Sequence, residues 1–153
     1  NQLIDTFQKE VFFILKKYRA THIELREGDM IVACFIDEKP ILNVMAAVEI
    51  QKTFFRRNTN LATRQRQKIE TSIGIHYGKF FIRNKSVVPN LEFLTCKKIQ
   101  DLAEANEICL SDKMNQLIQE YTNFVMDDVG GVEIKGLEDP IQVYSLRWYK
   151  TTG

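Results

Sequence analysis

The sequence predicts an α+β fold, an antiparallel sheet with helices packed on one face. Three observations carry that expectation. Helical and strand periodicities alternate along the chain with no repeat or low-complexity segment between them; a tight turn at Glu27-Gly28-Asp29 joins two β-rich runs; and a second turn-bearing connection, through Gly136 and Pro140, joins two more. A chain of 153 residues with 44% hydrophobic content suits one domain over residues 1–153 with a single sizeable core.

Leu3, Phe7, Val11, Ile14 and Tyr18 recur at helical spacing, so the chain opens with an amphipathic helix that gives way to extended structure near His22. Ile23 to Leu25 and Met30 to Phe35 then pair as a hairpin. Gly28 permits the turn, and Asp29 follows it where a carboxylate projects beyond the sheet. Pro40 suits the first turn of a second helix with Ile41, Val44, Val48 and Phe55 on its core face, followed by a polar, basic connection from Arg56 to Lys68. Ile69, Thr71, Ile73 and Ile75 alternate with Glu70, Ser72, Gly74 and His76 as a strand does, and Phe80 to Ile82 continues it past Gly78. Asn90 can cap a helix from Leu91 to Ala103; Ile108 to Leu110 is a short strand; Ser111 can cap a helix through Tyr121. Val132 to Ile134 and Ile141 to Leu146 close the chain as an antiparallel pair. The resulting order is αββαββαβαββ.

With 21 Lys and Arg against 20 Asp and Glu, no global field favours nucleic acid or an anionic membrane. Arg56, Arg57, Arg64, Arg66 and Lys68 lack interleaved aromatics and read as a solvated connection, so no nucleic-acid partner is expected. Cys34, Cys96 and Cys109 form no CxxC pair, which argues against a disulfide framework or zinc cluster and for free thiols in a reducing, cytoplasmic setting. No apolar run approaches the roughly 18 residues of a membrane span, so direct membrane insertion is not expected. The first residue, Asn1, leads straight into a helical pattern, which suggests a piece of something longer, tethered to a membrane protein or not.

Five segments in order resemble the catalytic domain of class III adenylate and guanylate cyclases. They are the helix, strand, Gly-Asp turn and strand from Asn1 to Phe35; Ala46-Ala47 with Ile50-Gln51; Ser72-Ile73-Gly74-Ile75-His76-Tyr77-Gly78; Leu102-Ala103-Glu104-Ala105-Asn106-Glu107-Ile108-Cys109-Leu110-Ser111; and Val132-Glu133-Ile134-Lys135-Gly136-Leu137 with Pro140, Val143 and Tyr144. The resemblance implies a ferredoxin-like α+β domain that begins after the family's first strand. It implies head-to-tail dimers, with an identical or a different cyclase-like partner, and active sites in the shared interface. In the family two aspartates hold two divalent cations, Mg²⁺ or Mn²⁺, which activate the ribose 3′-hydroxyl of ATP or GTP and help pyrophosphate leave. Asp29 matches the second of these aspartates, and Lys135 falls where a lysine contacts the terminal phosphates.

Other positions depart from the pattern. Where the family reads adenine with a lysine and an aspartate, this chain has Leu25 and Val87, neither of which can hydrogen-bond a base edge through its side chain. The family's asparagine and arginine, four apart on one helix face, correspond to Leu94 and Lys98. Lysine keeps the charge without the planar fork, and losing a preorganised donor to a transition state costs on the order of 100-fold. The loop from Asn84 to Asn90 is short and carries Pro89 where the family has glycine.

The expectation is therefore a degenerate cyclase-like domain acting in dimerisation or regulation within a signalling protein. Its rivals are an active cyclase, using Lys98 or completed by a partner chain, and a domain that binds nucleotide without turnover. Read without the resemblance, Asp29 is ordinary hairpin chemistry, Lys135 a solvated strand-end charge, Leu94 and Lys98 an amphipathic helix face, and His76 a hydrogen-bonded structural histidine.

Overall fold

The computed structural model describes residues 2–36, 39–61 and 67–149. Two compact units make up the chain, Asn1–Glu70 and Thr71–Gly153. The α+β expectation holds in both.

In the first unit, α1 (Gln2–Lys17) buries Val11 and Ile14 from the expected stripe together with Leu15, while Leu3, Phe7 and Tyr18 are half-buried. β1 (His22–Leu25) pairs antiparallel with β2 (Ile31–Cys34), from His22↔Cys34 to Leu25↔Ile31. The Arg26 amide closes the hairpin on the Met30 carbonyl at 2.9 Å, and Gly28 takes φ +74°, a conformation that side chains disfavour. On one strand face Glu24 joins His22 (Nε2 to Oε1, 2.9 Å) and Arg26 (Nε to Oε2, 2.8 Å).

The second helix, α2 (Ile41–Leu61), runs past the expected boundary at Arg56. Its core face also differs by one position: Phe54 is fully buried and Phe55 is 58% exposed. Gln51, also buried, hides the true register from a purely apolar reading. The Phe54 ring stacks on Phe7 at 5.5 Å between centroids. Where α1 ends, Glu49 of α2 accepts from Lys17 Nζ at 2.8 Å and from the Tyr18 hydroxyl at 2.7 Å. Those two bonds, the Lys17 bond first, hold its carboxyl below the usual range. Ile69, expected to open a strand, is instead held by Asn58, which accepts from its amide (2.9 Å) and donates to its carbonyl (2.7 Å). Of the basic connection, Arg64 and Arg66 lie outside the described residues.

The second unit contains β3 (Ile73–Ile75), β4 (Ile82–Arg83), β5 (Ser86–Val87), α3 (Leu91–Leu102), β6 (Ile108–Ser111), α4 (Asp112–Ile118), β7 (Met126–Val132) and β8 (Ile141–Leu146). Its four-stranded sheet has the order β3-β6-β8-β7. The β3–β6 pair is parallel, because α3 crosses over between them, and the remaining pairs are antiparallel. Ile99 of α3 packs with Cys109 and Val143 of the sheet, all three buried. The helix comes so close to β3 that a Cβ at Gly74 would lie 2.5 Å from the Gln100 backbone nitrogen.

Three boundaries depart from expectation. Ile82 belongs to a separate hairpin, β4–β5, turned by Asn84 (φ 52°) and Lys85 (φ 65°) rather than extending the Ile75 strand. α4 stops at Ile118, short of Tyr121. β7 starts at Met126, carries a bulge between Asp128 and Gly130, and ends before the buried Ile134. Polar pins fasten this unit's C-terminal end: Glu107 accepts from the Glu104 amide (2.8 Å) and the Ser145 hydroxyl (2.9 Å), and Trp148 donates to the Asn106 carbonyl (2.8 Å).

Candidate functional site

The candidate residues divide between the units. In the first, Leu25 ends β1 with half of its surface exposed, and Asp29 is exposed at the hairpin turn. In the second, α3 starts from a defined cap, with Asn90 accepting from the Phe93 amide at 2.9 Å. Its buried face holds Thr95 and Ile99, so Leu94 and Lys98, one turn apart, share the exposed face, with Leu94 47% exposed. Val87 lies on β5, and its side chain is buried, so the position that the resemblance assigns to base reading faces the interior of its unit. Lys135 is exposed just past β7, between the buried Ile134 and Gly136.

A divalent-metal centre needs several oxygen donors gathered at one point. Among the described residues no group of three or more His, Cys, Asp or Glu side chains could hold a metal ion. Asp29 offers an exposed carboxylate at the hairpin turn, one donor toward such a centre. Neither Cys34 nor Cys109 supplies a nucleophile: burial pushes the Cys34 thiol up to about 11 and, with Glu107 beside it, Cys109 up to about 12, so both are protonated at neutral pH.

A polar cluster that the sequence reading left without chemistry joins β3, α3 and α4. His76, just past β3, places Nε2 2.6 Å from Glu92 Oε2 in the first turn of α3, and Nδ1 2.8 Å from Ser111 Oγ. Ser111 caps α4 by accepting from the Met114 amide at 3.3 Å. A carboxylate only accepts, so Nε2 carries the ring proton and Nδ1 accepts from the Ser111 hydroxyl. Gly78 makes room for the carboxylate; a Cβ there would collide with Glu92 Oε2. His76 was expected to be a hydrogen-bonded histidine, and it is. Its partners, 16 and 35 residues away, leave no periodic trace in the sequence.

No family model matches the chain, and no curated protein matches it in sequence. Solved structures do match in fold. An adenylate/guanylate cyclase/hydrolase from Silicibacter pomeroyi superposes with a TM-score of 0.81 at 21% identity, over 93% of this chain and 81% of that one. The adenylyl cyclase CyaB from P. aeruginosa gives 0.77 at 19% identity, over 95% and 80%. An adenylate cyclase from Trypanosoma brucei, solved in its monomeric state, gives 0.75 at 14% identity, over 99% and 80%. The chain thus has the fold of class III adenylate/guanylate cyclase catalytic domains. No helix among the described residues is long and apolar enough to cross a membrane.

Proposed function

We propose that this chain is a degenerate class III nucleotidyl cyclase-like domain whose task is dimerisation or regulation in a signalling protein. The observation that carries the reading is the exposed face of α3, which presents Leu94 and Lys98 at the places where the resemblance puts the transition-state asparagine and arginine. A leucine there cannot orient a ribose, and a lone ammonium lacks the fork that would span phosphate oxygens. Buried Val87 and half-exposed Leu25 remove the base readout in the same way.

Leu91 and Leu94, 40% and 47% exposed, instead make an apolar edge that a second cyclase-like domain can cover. Exposed apolar side chains on a helix gain from burial against a partner, whereas a nucleotide site calls for donors. On this reading the partner is a second copy or a related domain, and the domain works without nucleotide turnover.

Sedimentation velocity tests the association. The native chain is expected to sediment as a dimer and Leu94→Glu as a monomer, with the circular dichroism of both alike because residue 94 is not in the core. A native chain that stays monomeric at every concentration contradicts self-association.

A further inference from the structure

Ser111, His76 and Glu92 stand in the order of a nucleophile, a base and an acid, but Ser111 is fully buried and its Oγ already accepts from the Met114 amide. No substrate reaches it. What this chain of hydrogen bonds does govern is a junction, where the end of β3, the first turn of α3 and the cap of α4 meet on one imidazole.

We propose that His76 is a proton-sensitive pin at that junction, and that protonation of its ring strips the Ser111 hydroxyl of its acceptor and loosens the start of α4. With a neutral ring every donor has a place: Met114 N–H on Ser111 Oγ, Ser111 O–H on Nδ1, and Nε2–H on Glu92. An imidazolium carries protons on both nitrogens. Nδ1 can then only donate, and the Ser111 O–H is turned away at a residue with no solvent exposure, where an unmet donor is costly.

The charges facing the ring are few. From α3, Glu92 favours the imidazolium; its carboxylate is confined against Gly78. From α4, Lys113, whose Nζ lies 5.2 Å from the centre of the Tyr77 ring, opposes it. β6 contributes only the neutral Ser111 hydroxyl, and Tyr77 is the neighbouring titratable group on the ring's own segment. Burial is the largest influence and outweighs Glu92, so His76 titrates below the ordinary histidine value of 6.5. Because the folded value lies below the unfolded one, the neutral ring stabilises the fold at and above pH 6.5, and that stability is lost as pH falls through the folded value. The pin therefore holds at neutral pH and yields on acidification. It needs no nucleotide and operates whether or not the domain turns one over.

Heteronuclear NMR across pH 5 to 8 tests this on the native chain. There are two histidines, so His22→Gln assigns the His76 ring signals by elimination. The Met114 amide is expected to titrate together with the His76 ring, with a midpoint below 6.5. His76→Gln should abolish the Met114 movement in that window. Glu92→Gln, which removes the charge favouring the imidazolium, should shift the midpoint lower still, and it carries the test alone if His76→Gln does not fold. A Met114 amide that stays still while His76 titrates overturns the proposal, as does a Glu92→Gln midpoint equal to or above the native one.

Discussion

Alanine at Gly74 is expected to cost the second unit about 3 kcal/mol, the upper part of the usual range for overpacking a filled site. A Cβ there would lie 2.5 Å from the Gln100 nitrogen and 2.6 Å from its Cα, and both are backbone atoms that cannot rotate away. Either α3 lifts from β3, opening the contact that buries Ile99, or the strand bends out of its parallel register with β6. Urea titration should show a lower midpoint with an unchanged slope. On the proposed function the effect also bears on association, because α3 is the helix that displays Leu94 and Lys98. An unchanged midpoint would mean that this helix does not lie on β3 as described.

Phe54→Ala is expected to cost about 4 kcal/mol, against less than about 1 kcal/mol for Phe55→Ala. The adjacent phenylalanines differ in burial as far as two neighbours can: Phe54 is 0% exposed and stacks on Phe7, and Phe55 is 58% exposed. Removing the buried ring leaves a cavity and strips Phe7 of its partner, whereas removing the exposed one uncovers little. Equal losses for the two variants, measured by the same urea titration, would contradict the register of α2.

Much of the fold was legible because apolar spacing sets the buried face of α1 and capping chemistry sets the starts of α3 and α4. Asn90 and Ser111 cap as their residue types suggest, since each puts a side-chain oxygen within reach of an unpaired helix amide. The errors fell where packing is decided from outside the segment. Phe55 looked like core because Gln51 was not counted on the buried face, although the helix places it there. The β4–β5 hairpin was hidden because its turn, Asn84-Lys85, puts a lysine at positive φ in place of the glycine that usually marks such a turn. Ile69 alternated like a strand residue yet is tied to Asn58, a long-range bond with no pattern to read.

The candidate site was legible only through the resemblance, since Leu25, Val87, Leu94 and Lys98 carry no signal of their own and mean something only beside the residues that the family has there. Burial was outside its reach: nothing in the sequence distinguished the interior Val87 from the half-exposed Leu25. The Glu92–His76–Ser111 chain was invisible for a related reason, because polar contacts between separate elements follow the fold and not any local spacing.

The central claim, that the cyclase fold here has lost its nucleotide chemistry, is tested most directly by the melting temperature of the purified chain in Mn²⁺ with ATP or GTP, run beside Asp29→Ala. A ligand that binds only the folded state raises stability by about 2.7 kcal/mol at a hundred times its dissociation constant, which a melting curve resolves readily. The account predicts no nucleotide-dependent rise in either protein. A rise in the native chain that Asp29→Ala abolishes would contradict it.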